Sequence, residues 1–231
     1  LESFDLEYVL KTKTSINSYR YTGYMQLQQT INKITINAGV RGSYWDLNEE
    51  YLMSPRASLS YRPLWDKDFL FRASSGIYYQ PPFYRELRNL EGEINRNLSA
   101  QKSTHFIIGS DYNFNIWQRP FKLVTELYYK NLDNLIPYEI ENVRIRYYAE
   151  NSASGWAKGL DVRLNGELVK GMESWASLSI MKTIADIEND FYTDENGTIN
   201  QIGYYSRPAD QRVNFSLFFQ DYLPKMPHFK M

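Results

Sequence analysis

The 231-residue chain has no cysteine. That excludes a disulfide scaffold, a Cys-based zinc site and a thiol nucleophile. It has two histidines, His105 and His228, which leave little for a His-rich metal site. Neither sign of charge dominates. Lys plus Arg number 26 against 27 Asp plus Glu, a net charge of −1, so the basic excess of a nucleic-acid binder is missing. No run approaches the ~18 consecutive apolar residues of a membrane helix. There is no Gly-rich phosphate loop and no Ser, His and Asp spacing that points to a nucleophilic triad. No catalytic, cofactor-binding or metal-ligating residue is therefore assigned, and the chain is not read as an enzyme. Its start, Leu1-Glu2-Ser3-Phe4-Asp5, is neither a signal nor a transit peptide. It reads as a processing boundary inside a longer protein.

What the chain has is aromatic side chains, 16% of all residues, set in a pattern of period two. Ile34, Ile36, Ala38, Val40, Gly42 and Tyr44 alternate with Thr35, Asn37, Gly39, Arg41 and Ser43. Phe106, Ile108, Ser110, Tyr112 and Phe114 alternate with His105, Ile107, Gly109, Asp111 and Asn113. Such segments are strands with one apolar and one polar face. About ten are expected, near 1–11, 17–30, 34–46, 54–63, 68–79, 102–115, 120–135, 153–167, 173–187 and 209–222, with a further one opening near Phe229. All nine prolines fall at or beyond these strand ends, where no ladder N–H is needed.

Every second connection is short: 31–33, 64–67, 116–119 and 168–172. The others, 12–16, 47–53, 80–101, 136–152 and 188–208, tend to be longer. In an up-and-down meander alternate connections lie at opposite ends, so one end has tight turns and the other long loops, as in an outer-membrane barrel. The strands also exceed the ~5–6 residues usual in soluble sheets and reach the ~9–11 that a tilted membrane strand needs. Aromatics gather near strand ends at Tyr44, Trp45, Trp65, Tyr78, Tyr79, Trp117, Tyr128, Tyr129, Trp175, Phe219 and Tyr222. That placement is expected of two interfacial girdles.

The strand phase turns Arg41, Arg72, Asp111, Lys122, Glu126, Asp161, Arg163 and Arg212 toward the lumen, with Asn37, Asn113, Asn165 and Asn214. Such a wall can hydrogen-bond a plug, or it is simply the hydrated side on which charge is cheaper. In the long loops Tyr84, Arg85, Arg88, Arg144, Arg146 and Tyr147 are candidates for substrate contact, because Tyr and Arg dominate recognition surfaces. Girdle and loop packing is the plainer reading of the same residues. The acidic stretch with Asp186, Glu188, Asp190, Asp194 and Glu195 lacks the glycine of a calcium loop and reads as solvated loop.

Three stretches resemble the barrel of TonB-dependent outer-membrane receptors. The first runs from Ser54-Pro55-Arg56 through Tyr61-Arg62-Pro63 and Phe71-Arg72-Ala73-Ser74-Ser75-Gly76 to Gln80-Pro81-Pro82. The second is Asn97-Leu98-Ser99-Ala100-Gln101-Lys102-Ser103-Thr104-His105 with Gly109, in which Gln101 and His105 stand where the common pattern has glutamates. The third runs from Asn151 to Gly159-Leu160-Asp161, behind Tyr128 to Ile136. The fuller wording, with Arg207-Pro208-Ala209-Asp210-Gln211-Arg212, is similar to the subgroup that carries an N-terminal carboxypeptidase-regulatory-like domain.

The resemblance implies an all-β, antiparallel up-and-down transmembrane barrel. The whole chain, 1–231, would be one part of it, about ten strands of roughly 22. It further implies uptake of a scarce solute, a lumen gated by a plug, energy delivered through TonB, a location in the outer membrane of a Gram-negative bacterium, and contact with outer-membrane lipid. A surface lipoprotein is a possible further partner. Plug and TonB box are expected in a missing N-terminal part, and no cofactor is implied. A passive porin or a structural barrel in an outer-membrane complex is the alternative. Siderophore, corrinoid, glycan and peptide all stand open as the solute. If these residues are a piece of such a receptor, the intact protein from detergent-solubilised outer membranes has a mass roughly two- to fourfold that of this chain, read directly by mass spectrometry.

Overall fold

The computed structural model describes residues 14–141, 143–223 and 226–230. The strand expected at 1–11 lies outside the described residues. No helix occurs among the described residues. The strands in order are β1 (Arg20–Ile31), β2 (Ile34–Trp45), β3 (Glu50–Tyr61), β4 (Asp68–Gln80), β5 (Gln101–Ile116), β6 (Arg119–Leu135), β7 (Tyr138–Glu141), β8 (Arg144–Tyr147), β9 (Ala153–Val169), β10 (Met172–Ile187), β11 (Phe191–Thr193), β12 (Ile199–Gln201), β13 (Tyr205–Ser206), β14 (Val213–Phe218), β15 (Tyr222–Leu223) and β16 (Met226–Lys230). One antiparallel sheet runs β1-β2-β3-β4-β5-β6-β9-β10, and β13 and β14 both pair with the far side of β10. The pairs β7–β8, β11–β12 and β15–β16 are separate two-stranded ribbons.

The expected meander is observed, with β1 to β10 of the main sheet close to the sequence-based bounds. The turn end is tight. Trp117 and Gln118, at φ 52° and 59°, close β5 onto β6 in the left-handed conformation that two-residue hairpins use. Asn32 and Gly171 serve the β1–β2 and β9–β10 turns in the same left-handed region. Three expectations need correction. The strand expected from 54 begins at Glu50, because Tyr51↔Tyr44 and Glu50↔Trp45 continue the ladder. The strand expected over 209–222 is only Val213–Phe218. Before it the chain turns: Asp210 N–H bonds the Arg207 carbonyl, and the Asp210 carboxylate takes the Thr183 N–H at 2.8 Å where a ladder partner would stand. The long loops 136–152 and 188–208 carry ribbons of their own.

Register places all alternate residues on one face. The apolar face carries Leu27, Ile36, Leu59, Phe106, Leu127, Val162, Leu178 and Phe215, all exposed or half-buried. An exposed apolar face of this extent is a lipid-facing surface. Two aromatic rows border it. Tyr21, Tyr44 and Tyr51 stack across three strands at 6.4 and 4.4 Å toward the long loops. Phe69, Tyr112, Phe114 and Phe121 stack at 4.2, 4.9 and 5.9 Å toward the turns. The girdle expectation was too inclusive, since adjacent strand residues cannot share a face. Trp45 is buried, 2% exposed, Tyr78 packs on His105 across the polar face, and Trp175 stacks on Phe218 there.

The densest burial lies at the long-loop end. Trp45, Leu87, Leu98, Ile136 and Tyr147 form a core, with Ile16, Leu47 and Ile94 packed against it. Loop 81–100 is thus folded down onto the sheet. Polar side chains fasten it. The Glu50 carboxylate accepts the Ala100 N–H, and Asn48 donates to the Leu98 carbonyl at 3.0 Å. Asn151 grips Ser99 twice, accepting its N–H at 2.8 Å and donating to its carbonyl at 3.0 Å. Leu87→Ala removes a fully buried side chain from this core and costs about 2–5 kcal/mol of local packing. Limited proteolysis of the intact protein then cuts within loop 81–100 at lower protease concentration, while the barrel keeps its heat-modifiable gel mobility.

Candidate functional site

The polar face gathers charge at its centre. Arg72 on β4 lies 2.7 Å from Asp111 on β5 and 3.1 Å from Glu126 on β6, and Lys122 on β6 lies 2.7 Å from the other oxygen of Asp111. Register explains the meeting. Gly109 stands directly opposite both Arg72 and Glu126. A Cβ at Gly109 would come to 2.9 Å from the Thr125 carbonyl oxygen and 3.1 Å from Glu126 Cγ. The glycine therefore leaves the space through which the two long side chains join. Asp111 is nearly buried and serves two cations, and Arg72 Nε is buried with no acceptor among the described residues. A donor left so is one that a group from outside this chain can satisfy.

The remaining charges named from sequence do not join this cluster. Arg163 donates to Asn165 at 2.9 Å and lies over the Trp175 ring. Asp161 stands opposite Glu126, like charge against like. Arg212 precedes β14 and donates to Asp210 at 3.0 Å. Asn37 donates to Ser58, Asn113 to Asp68, and Asn214 to Gln211. Arg41 belongs to a second grouping that sequence reasoning missed. Toward the long loops a cavity of about 200 Å³ is lined by Arg20, Arg41 and Arg56 with Ser43, Ser54 and Tyr78. Arg20 is fixed, donating to the Pro82 carbonyl at 2.8 Å with its guanidinium 3.9 Å over Trp45. Neither Arg41 nor Arg56 has an ion pair or hydrogen bond among the described residues. The signal was present: Arg41 pairs with Ser54 and Arg56 with Gly39, so they are diagonal neighbours on one face. Free guanidinium groups in a concave wall suit carboxylate, phosphate or another oxygen-rich group.

The loop candidates divide. Tyr147 is buried in the cap core, which pushes its phenol pKa up. Arg146 bonds Glu141 and the Leu90 carbonyl, tying the β7–β8 ribbon to loop 81–100. Arg85, exposed, reaches over the Phe83 and Tyr147 rings. Tyr84, also exposed, exchanges a hydrogen bond with Ser18 at 2.8 Å. Arg144 is exposed at the start of β8, opposite Glu141. Arg88 is half-buried and bridges to Ile94 through its backbone. No group of three or more His, Asp or Glu residues that would hold a metal occurs among the described residues. Within the acidic loop Asp194 accepts the N–H groups of Asn196 and Thr198, closing its own turn.

With this geometry in hand, comparison with known proteins is informative. The sequence model of the family described as TonB dependent receptor-like, beta-barrel matches residues 3–228. Among solved structures, the alcaligin outer membrane receptor FauA from Bordetella pertussis is similar with a TM-score of 0.55 at 20% sequence identity. The match covers 90% of this chain and 35% of that one, so the chain spans about a third of the receptor's length. At that identity the likeness concerns the fold. No curated protein matches the chain.

The Asp210 carboxyl pKa lies below its ordinary value, chiefly because the Thr183 N–H bonds the charged form, and then because Arg212 does. A pKa lowered by folding contributes stability that is complete above the ordinary carboxylate range and is lost as pH falls through the folded value. Protection of the Thr183 amide, corrected for intrinsic exchange, is expected to fall as pH drops from about 6 to about 3. In Asp210→Ala it is roughly three- to tenfold lower at neutral pH and loses that pH dependence.

Proposed function

Because the chain belongs to the TonB dependent receptor-like β-barrel family, we propose that it is part of the barrel of an outer-membrane receptor that takes up a scarce solute and draws its energy through TonB. Plug and TonB-contacting segment then belong to the rest of the protein. The observation that carries the reading is the polar wall: a tied charge cluster on β4–β6 with one buried donor unmet. A plug seated against that wall would supply the missing acceptor. The outward residues Tyr84, Arg85 and Arg144 face the side from which solute arrives, and Arg41 and Arg56 wait deeper on the same path. A surface lipoprotein would close over this folded loop layer. Arg41, Arg72, Asp111, Lys122, Glu126, Asp161 and Arg163 are proposed as plug or solute contacts through the face they share.

The test uses cells bearing the full-length receptor and a radiolabelled candidate solute, with and without TonB. Surface binding is expected in both, and accumulation only with TonB. Accumulation that persists without TonB, with steady conductance in a planar bilayer, would replace the receptor by a passive barrel.

A further inference from the structure

We propose that the outer, lipid-facing side of β9 and β10 binds a phosphate-bearing lipid of the outer leaflet, with Lys158 and Lys182 holding the phosphate. The inference rests on the membrane-barrel reading and adds a ligand site on the side away from the lumen.

Lys158 and Lys182 are directly opposite one another in the β9–β10 ladder. Both are exposed, and both sit on the apolar face, between Trp156 and Leu160 on one strand and between Ile184 and Ile180 on the other. Like charges directly opposite on a sheet repel, and cations on the lipid face of a barrel are unfavourable. Neither lysine has a carboxylate within ion-pair distance among the described residues. Both ammonium groups instead gather round one indole, 4.7 and 6.0 Å from the Trp156 ring. An anion placed between them removes the repulsion and supplies the counter-charge.

The height of the pair selects the anion. Toward the turns the face continues through Leu160, Val162 and Leu164, and the stretch down to Leu168 is about as long as a strand needs to cross hydrocarbon. Toward the long loops it turns polar, where Lys102 pairs with Asp133 at 3.2 Å. The lysines thus mark the border of the apolar band on the outer side, the level of lipid headgroups. Beside Lys158 an open groove of about 750 Å³ runs over the same face, lined by Leu59, Ala73, Phe106, Ile108 and Leu127. Its lining mixes the small side chains of Ala57, Ala73 and Ser75 with larger apolar ones, a surface an acyl chain can lie along. Two ammonium groups over an apolar groove match a phosphate carried on acyl chains.

The experiment is native mass spectrometry of the full-length receptor in detergent, titrated with lipid A carrying its phosphates and, separately, with dephosphorylated lipid A. Wild type is expected to retain the phosphorylated form and to bind the dephosphorylated form far more weakly. In K158Q/K182Q the preference disappears and affinity for phosphorylated lipid A falls about thirtyfold. Lys102→Gln, whose lysine already has a carboxylate partner, leaves binding unchanged. Heat-modifiability checks that each variant is folded, and the two-lipid comparison on wild type needs no variant. Equal binding of both lipids by wild type, or unaltered binding by the folded double variant, overturns the site. A receptor absent from the outer membrane overturns the barrel reading itself, whereas one that is present but indifferent to phosphate overturns only the site.

Discussion

Hydrocarbon offers no hydrogen bonds, so every backbone N–H and C=O that crosses it must find a partner in the neighbouring strand. The ladders of β1 to β10 in the main sheet meet that demand over most of their length, apart from a β6–β9 register shift between Leu132 and Leu135, another at Met172/Ser174, and the β3–β4 seam, which is paired only from Arg56↔Gly76 to Tyr61↔Phe71. The consequence is a strict alternation. A one-residue slip would turn Phe106 and Ile108 inward and His105 and Asp111 into lipid. Register, face and the list of residues available for function are therefore one decision. The same alternation separates the stacked Tyr21, Tyr44 and Tyr51 from Trp45, which is turned the other way and becomes the centre of the loop core.

At the long-loop end the demand is met differently. Beyond the sheet the backbone of loop 81–100 has only the Arg88–Ile94 bridge and a few turn bonds of its own, and side-chain amides and a carboxylate fasten it further. Asn151 serves both backbone groups of Ser99 and the Asn134 carbonyl, Asn95 donates to the Ala149 carbonyl, and Glu50 receives the Ala100 N–H. Ser99 and Asn151 lie in two separate stretches whose wording resembles the receptor family. The structure gives that wording a physical sense, because the two stretches are halves of one contact. Buried amides without such partners would each leave a costly unmet group. Once met, they let Leu87 and Leu98 close over Trp45 and Tyr147.

Most of the sheet was legible in the sequence because alternation is a property of strands taken singly. Strand bounds at 34, 68, 135, 153 and 187 agree with the structure to the residue. The ribbon of β7 and β8 was missed, though Glu139 and Glu141 against Arg146 and Arg144 spelled a charge-matched pair. Each arm is four residues long, too short for periodicity to register against loop composition. The shortened β14 was missed because Asp210 ends the approach to it by a side-chain bond to Thr183, and nothing in the pattern marks which carboxylate does so. On the polar face the charged residues were legible as a set, but not their partners. Which of them meet depends on diagonal neighbours across three strands and on the space left at Gly109.

The polar face also has a direction. Near the long loops Arg41 and Arg56 have no ion pair among the described residues, and nearer the turns Arg72 and Lys122 are neutralised by Asp111 and Glu126. On the transport reading, an anionic group descending this wall meets its strongest attraction first. Below that it finds cations already engaged, which exchange partners only if Asp111 gives one up. Movement through a binding path requires attraction strong enough to admit and weak enough to release. A wall with free guanidinium groups at the entry and paired ones below satisfies both conditions with the same residue types, by pairing alone. The arrangement depends on Asp111 more than on any single cation. Without it Arg72 would keep Glu126, but Lys122 would lose its ion-pair partner among the described residues, and on the same reading the lower wall would offer a strong anion site of its own.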